Sequence, residues 1–156
     1  MSPDDVILRP ARLDDLSQLL EFEQGIIAAE RPFDLTLKPG EIHYYDLAAL
    51  IRSHDAHVVV GEHEGRLVAS GFAEIRTAKP HLRHSRYAYL GFMYVAPELR
   101  GRGLNGRIVD ALVEWARERD VTEVRLEVYA GNDSARRAYE KLGFTPNLVE
   151  MRLNTG

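Results

Sequence analysis

The segment from Tyr87 to Arg119 constrains the fold more than any other part of the chain. Tyr87 to Val95 is an apolar, aromatic-rich run typical of a strand. A glycine-rich turn, Arg100 to Gly106, follows it, and apolar residues then recur at helical spacing. This order predicts a strand, a tight turn and an amphipathic helix that begins at about Gly103.

Upstream, short connections predict an antiparallel meander. His57 to Gly61 and Leu67 to Arg76 are predicted strands, and Glu64-Gly65 is the predicted turn between them. With Tyr87 to Val95 they form three consecutive strands. The elements expected before them are a strand at Val6 to Leu8, a helix capped by Asp14 or Asp15, a loop from Arg31 to Glu41, and a short helix from Tyr44 to Arg52.

Downstream, the pattern predicts a further strand, helix and strand. Val124 to Val128 alternates, Asn132 or Asp133 can cap a helix that Gly143 stops, and Leu148 to Leu153 is predicted to be a last strand. The expected fold is mixed α/β in one domain, residues 1–156. Its central sheet is antiparallel early and parallel late, with helices on both faces.

Composition excludes several classes of function. The chain has no cysteine, which excludes disulfides, thiolate metal sites and a cysteine nucleophile. A net charge of -4 argues against broad nucleic-acid binding. No apolar run is long enough to cross a membrane, and the first residues do not form a signal peptide, so a cytoplasmic location is expected.

The most basic segment is Lys79 to Arg86, which contains His81 and His84. Two loop histidines without a third ligand are a weak indication of metal binding. We therefore predict no metal, and we expect a solvated hairpin loop here in preference to an anion or substrate contact.

The turn also spells G-x-G-x-x-G, the fingerprint of dinucleotide folds, and Glu127 lies where their ribose-binding acid would be. In those folds the first glycine leaves the strand directly. Here five residues, among them Pro97, separate Val95 from Gly101, so an NAD(P) site is disfavoured. An ATP P-loop is excluded because no G-x-x-x-x-G-K-[ST] occurs.

Two features that let dinucleotide and P-loop sites bind phosphate are also present in this turn. Glycines let the backbone approach an anion, and the amides of a helix's first turn point at it without intrahelical partners. Two arginines add positive charge. The turn is therefore predicted to hold a pyrophosphate through Arg100, Gly101, Arg102, Gly103, Leu104, Asn105 and Gly106.

With this turn, the sequence resembles the GCN5-related N-acetyltransferase (GNAT) superfamily. Its cofactor motif is a strand ending in V-x-P followed by [QR]-x-x-G-x-[GA], and Arg100, Gly103 and Asn105 occupy the three defined positions. Asn105 departs from the usual glycine or alanine. A second motif, N-x-x-A-x-x-x-Y-x-x-x-G-F, is matched by Asn132, Ala135, Tyr139, Gly143 and Phe144.

The resemblance implies a GNAT fold and direct transfer of acetyl from acetyl-CoA to an amine. The strand backbone at Phe92, Met93, Tyr94 and Val95 would hold the pantetheine arm, with the Met93 amide polarising the thioester carbonyl. Asn132, Ala135 and Tyr139 would face the cofactor.

Two side chains are the candidates for proton transfer. Tyr139 is the expected acid, because a phenol is protonated at neutral pH and can protonate a departing thiolate. Glu127 matches the base of some protein N-terminal acetyltransferases; partly buried, it would deprotonate an ammonium through water. A structural ion pair is an equal alternative for Glu127, and Glu74 and Tyr94 are weaker candidates.

The acceptor is expected to be a primary amine of a small molecule, an amino acid or a peptide. The first two helices and the loop between strands three and four usually shape the acceptor pocket in this superfamily. Here that region offers Glu30, Asp34, Glu41, Tyr44 and Tyr45, which suit an amine, against the basic loop Lys79 to Arg86, which could suit a carboxylate. A non-catalytic coenzyme A sensor is the competing function, since it could dispense with Tyr139 and Glu127. A homodimer is possible because superfamily members often dimerise.

Overall fold

A computed structural model describes residues 2–156, and a five-stranded sheet in the order β1-β2-β3-β4-β5 organises them. The strands are β1 (Ile7–Pro10), β2 (Ala56–His63), β3 (Arg66–Thr77), β4 (Arg86–Val95) and β5 (Val124–Arg125). The helices are α1 (Leu16–Glu30), α2 (Leu47–Arg52), α3 (Leu104–Arg117) and α4 (Asp133–Lys141). Along this described part of the chain, no helix is both long and apolar enough to cross a membrane.

The sheet is antiparallel from β1 to β4, and β4 pairs with β5 in parallel. The predicted meander and the change to a parallel pair are therefore confirmed. In the β2–β3 turn, Glu64 and Gly65 have φ values of 49° and 78°. Two consecutive left-handed residues are typical of the type I′ turn that matches the twist of a hairpin.

Two separate hydrophobic cores lie on the two faces of the sheet. Along β2, Val59 belongs to the core under α3, whereas Val58 and Val60 belong to the core under α1 and α2. This alternation follows from the two-residue period of a strand. The predicted placement of helices on both faces is confirmed.

The loop from α1 to α2 holds a one-turn helix, Arg31–Phe33, and α2 is shorter than predicted. Asp46 caps α2 by accepting a hydrogen bond from the Ala49 amide at 3.1 Å. Asp15, predicted as a possible cap of α1, makes no capping hydrogen bond there; it forms an ion pair with Arg9 at 2.9 Å.

The prediction for the C-terminal part of the sheet is wrong in two places. Strand β5 ends at Arg125 instead of Val128, and Leu148 to Leu153 form no strand. Four apolar side chains of this tail are 80–90% exposed: Leu148, Val149, Met151 and Leu153. Alternation supplies one apolar face, but a strand also needs a partner backbone, and the tail instead forms an ion pair between Arg152 and Asp34 at 3.1 Å.

Candidate active site

Strands β4 and β5 separate soon after they meet. Their ladder consists of Ala88 opposite Val124 and Tyr89 opposite Arg125, and it stops there. The predicted pantetheine-binding segment, Phe92 to Val95, lies beyond this point and has no β5 partner. The gap therefore leaves backbone groups of β4 available to an extended ligand.

Phe92 forms a bulge at this gap, with a left-handed φ of 58°. The Ser70 hydroxyl donates to the Phe92 carbonyl at 3.0 Å, and the Phe92 amide donates to the Tyr45 hydroxyl at 3.3 Å. A bulge re-aims the strand, and a non-glycine residue holds such a φ only when its surroundings enforce it. Here a hydrogen bond on each side of the peptide enforces it.

The glycine turn reaches α3 through two left-handed residues. Gly101 has a φ of 76° and Gly103, the N-cap of α3, a φ of 85°, and a Cβ at either would meet no atom within 4 Å. Both positions therefore need glycine for backbone conformation and not for space. They expose the first amides of a 14-residue helix to any anion seated there.

Other residues of the turn divide between packing and exposure. Leu104 is buried in the α3 core, and a Cβ at Gly106 would lie 3.3 Å from Leu142. Arg100 donates to the Val95 carbonyl at 2.9 Å, which ties the turn to the end of β4. Arg102 is exposed. The turn thus fits a pyrophosphate through its backbone and its two arginines.

The second motif places Tyr139 on the α3 side of the sheet. Asn132 caps α4 by accepting from the Ala135 amide at 3.2 Å, as predicted. The Tyr139 ring packs edge-on against Phe144 at 5.9 Å, and burial raises the pKa of Tyr139. Interaction with the Asn105 side chain opposes that rise.

Glu127 lies across the gap, on the α1 and α2 side. It is exposed, and it accepts a hydrogen bond from the Tyr89 hydroxyl at 3.0 Å. The partial burial expected of Glu127 is not found, and no residue of the described chain forms a salt bridge with it. Burial and the nearby Glu127 raise the pKa of Tyr89, which therefore keeps its proton and donates.

A buried carboxylate that sequence reasoning missed orders this region. Glu23 of α1 is fully buried and accepts from the amides of Tyr44 and Tyr45 at 2.9 and 3.0 Å. Its other oxygen lies 2.7 Å from His43 Nδ1, and this hydrogen bond raises the pKa of His43. The available signal was an acid on the apolar stripe of α1, between Leu19 and Ile27.

The weaker candidates lie in structural contacts. Glu74 forms an ion pair with Arg76 at 2.8 Å, and Tyr94 stacks on Phe22 at 4.3 Å. In the basic segment, His84 lies 2.7 Å from Arg125. Nowhere in residues 2–156 do three or more histidine, aspartate or glutamate side chains form a group that could hold a metal ion.

The sheet opens between its two parallel strands beside a glycine turn at a helix N-terminus, which leaves a gap next to a turn suited to an anion. The chain belongs to the acetyltransferase (GNAT) family, whose sequence model matches residues 16–144. This family generally uses acetyl-CoA.

Curated relatives and solved structures agree with this assignment. The chain is 33% identical to a mycothiol acetyltransferase of Beutenbergia cavernae, over 81% of this chain and 37% of that protein. It is 31% identical to glucosamine 6-phosphate N-acetyltransferase 1 of Oryza sativa, over 94% of this chain and 85% of that protein. A predicted acetyltransferase with acetyl-CoA from Clostridium acetobutylicum superposes with a TM-score of 0.76 at 21% identity, over 96% of each chain. The chain thus spans just over a third of the mycothiol relative.

Proposed function

We propose that this protein transfers the acetyl group of acetyl-CoA directly to a primary amine of a small molecule, an amino acid or a peptide. The observation that carries the proposal is the gap between β4 and β5, with Tyr139 on one side and Glu127 on the other. Acetyl-CoA would supply an activated acetyl thioester there. We further propose that residues 1–156 act as a single domain.

The backbone orients the donor in this proposal. The segment of β4 from Phe92 to Val95, which has no β5 partner, hydrogen-bonds the pantetheine arm, and the Met93 amide faces the oxygen on which negative charge develops. The turn from Arg100 to Gly106 holds the pyrophosphate. Since Gly101 and Gly103 are already left-handed, this cradle is formed before the donor arrives.

The side chains move protons. Glu127, with Tyr89 donating to it, takes a proton from the acceptor ammonium through water. The amine nitrogen bonds to the acetyl carbon, the carbon–sulfur bond breaks, and Tyr139 delivers its proton to the departing sulfur. The raised pKa of Tyr139 keeps the phenol protonated until that step. The second proton of the nitrogen then leaves through water and restores the Tyr139 phenol, which gives the neutral amide and free coenzyme A.

Tyr139→Phe and Gly103→Ala are matched tests: the first should change turnover, and the second should change acetyl-CoA affinity. Tyr139→Phe is expected to lower turnover by about 10²–10⁴-fold with acetyl-CoA affinity nearly intact. Gly103→Ala is expected to weaken acetyl-CoA binding by roughly tenfold, because alanine resists the left-handed conformation. Steady-state assays report turnover, and calorimetry reports affinity.

Two results would count against the proposal. Unchanged turnover in Tyr139→Phe would remove Tyr139 from the mechanism, and unchanged affinity in Gly103→Ala would contradict the pyrophosphate assignment. Tight acetyl-CoA binding with no thiol release across a panel of small amines, amino acids, polyamines and peptides would favour a coenzyme A sensor.

A further inference from the structure

Four tyrosines and two unpaired carboxylates surround the acceptor side of the gap. We infer that, within the proposed transferase function, the acceptor is a cationic amine that carries no carboxylate. The residues that select it form one wall of the gap, and they are Glu30, Tyr44, Tyr45, Tyr89, Glu127 and Tyr129.

Two of these tyrosines are tied to the bend of β4 where the thioester would lie. The Tyr45 hydroxyl accepts from the Phe92 amide at 3.3 Å, and Tyr89 donates to Glu127 at 3.0 Å. The rings of Tyr44 and Tyr45 are 5.8 Å apart, edge to face. An amine approaching the gap therefore meets aromatic rings, which attract cations through their π faces.

The loop between α1 and α2 closes the other end of this wall. Burial raises the pKa of Glu30, and interaction with the Tyr44 hydroxyl opposes that rise. Tyr129, just beyond Glu127, donates to Asp34 at 3.3 Å and stacks on Phe33 at 6.3 Å. These contacts hold the loop against the segment after β5.

The charges of this wall are not balanced. Arg152 pairs with Asp34, but within residues 2–156 neither Glu30 nor Glu127 has a salt-bridge partner. A half-buried carboxylate without a cation is costly, and a bound ammonium would relieve that cost. An acceptor carboxylate would instead face two like charges.

Three basic residues near the wall, Arg31, His43 and Arg76, already make polar contacts. Arg76 lies over the Tyr89 ring at 4.0 Å and pairs with Glu74. Arg31, next to Glu30, donates to the carbonyls of Lys38 and Gly40. His43 is hydrogen-bonded to the buried Glu23 on the far side of Tyr44.

The basic segment lies at the end of β4 opposite to Phe92, where the thioester would be. Arg86 precedes Phe92 by six positions, about 20 Å along the strand, and donates to the Arg119 carbonyl. Arg31, Arg76 and Arg86 therefore cannot receive an acceptor carboxylate without breaking a contact described above.

Acceptor pairs that differ only in a carboxylate test the inference. We expect kcat/KM for cadaverine to exceed that for lysine by at least about tenfold, and likewise for putrescine over ornithine. In Glu30→Gln, the preference should fall several-fold; in Glu21→Gln, an exposed acid on the same helix, it should persist. Because the chain has no cysteine, a thiol reagent reports released coenzyme A alone.

Calorimetric binding of the same amines to the coenzyme A-loaded protein separates this inference from the proposed function. Equal or tighter binding of lysine, or no binding of either diamine, would overturn the inference. Preferential diamine binding without coenzyme A release would support it and count against the transferase. Loss of the preference in Glu21→Gln as well would show that net charge, and not the wall, sets it.

Discussion

Asn105 stands where the cofactor motif usually has glycine or alanine. Its side chain interacts with the Tyr139 hydroxyl, and this interaction opposes the rise in pKa that burial imposes on the phenol. Asn105 lies in the first turn of α3 and Tyr139 lies in α4. The departure from the motif therefore places an amide on the proposed acid and links the two helices beside the gap.

A double-mutant cycle checks this link. Asn105→Ala is expected to lower turnover several-fold in the native background and to have little further effect in Tyr139→Phe, because the hydroxyl it contacts is then absent. The coupling should be about 0.5–1.5 kcal/mol, the net worth of one hydrogen bond. Steady-state rates of the four proteins measure it, and additive effects would contradict it.

At the residue scale, the sequence predicted backbone roles better than side-chain partners. The Asn132 cap and the glycine turn depend on neighbours within a few residues, so short motifs carry them. The partners of Glu23 lie some twenty residues away, beyond the reach of any local pattern. The roles of Tyr139 and Glu127 in catalysis stay predictions.

At the scale of elements, the predictions that depend on nearby residues were confirmed, and those that depend on distant partners were not. Helix α3 and the β2–β3 hairpin were predicted because their periodicity and turn residues are local. The Gly143 stop is equally local: the amides of Gly143 and Phe144 bond back to Glu140 and Tyr139, which closes α4. The length of β5 and the pairing of the C-terminal tail as a strand depend on partners elsewhere in the fold, and both were predicted wrongly.

Glu23 holds the segment at Tyr44 and Tyr45 against helix α1, and Glu23→Gln should loosen that contact. A glutamine oxygen can still accept from the Tyr44 and Tyr45 amides, but its NH2 group would then face His43 Nδ1, so the charged carboxylate and its hydrogen bond to His43 are lost. We expect a loss of about 1–3 kcal/mol in the free energy of unfolding. We also expect a higher acceptor KM, because the segment from His43 to Tyr45 is held less firmly, with acetyl-CoA affinity unchanged.

Denaturant unfolding, acceptor KM and calorimetry measure these three quantities. Glu21→Gln is the matched control, since Glu21 is exposed and two positions away on the same helix. If Glu23→Gln weakened acetyl-CoA binding as strongly as it raised the acceptor KM, Glu23 would support the whole domain and not the acceptor side.

At the scale of the whole molecule, Asp34 joins the α1–α2 loop to the C-terminal tail. Hydrogen bonds from Thr36, followed by the contact with Arg152, lower the pKa of Asp34 to about 2. The Arg152 guanidinium also donates to the Thr36 hydroxyl at 3.3 Å. One charged side chain of the tail therefore holds an otherwise exposed segment on the acceptor side.

The attachment of the tail should depend on pH. Because the folded pKa of Asp34 is depressed, its stabilising contribution is complete above the ordinary carboxyl pKa of about 3.9 and disappears as pH falls through about 2. NMR relaxation of tail amides should therefore report increasing mobility over that interval. In Arg152→Gln the tail should be mobile already at neutral pH. A tail as ordered as in the native chain would show that the Arg152–Asp34 ion pair does not hold it.

The two cores described on opposite faces of the sheet have a consequence for how this chain can diversify. The proposed acceptor contacts belong to the face covered by α1 and α2, whereas α3 and Tyr139 belong to the other. Substitutions far apart, without shared partners, change stability almost independently. A library confined to positions 30–46 can therefore explore new acceptors without rebuilding the donor side, and the Tyr45–Phe92 hydrogen bond is the contact such a library must preserve.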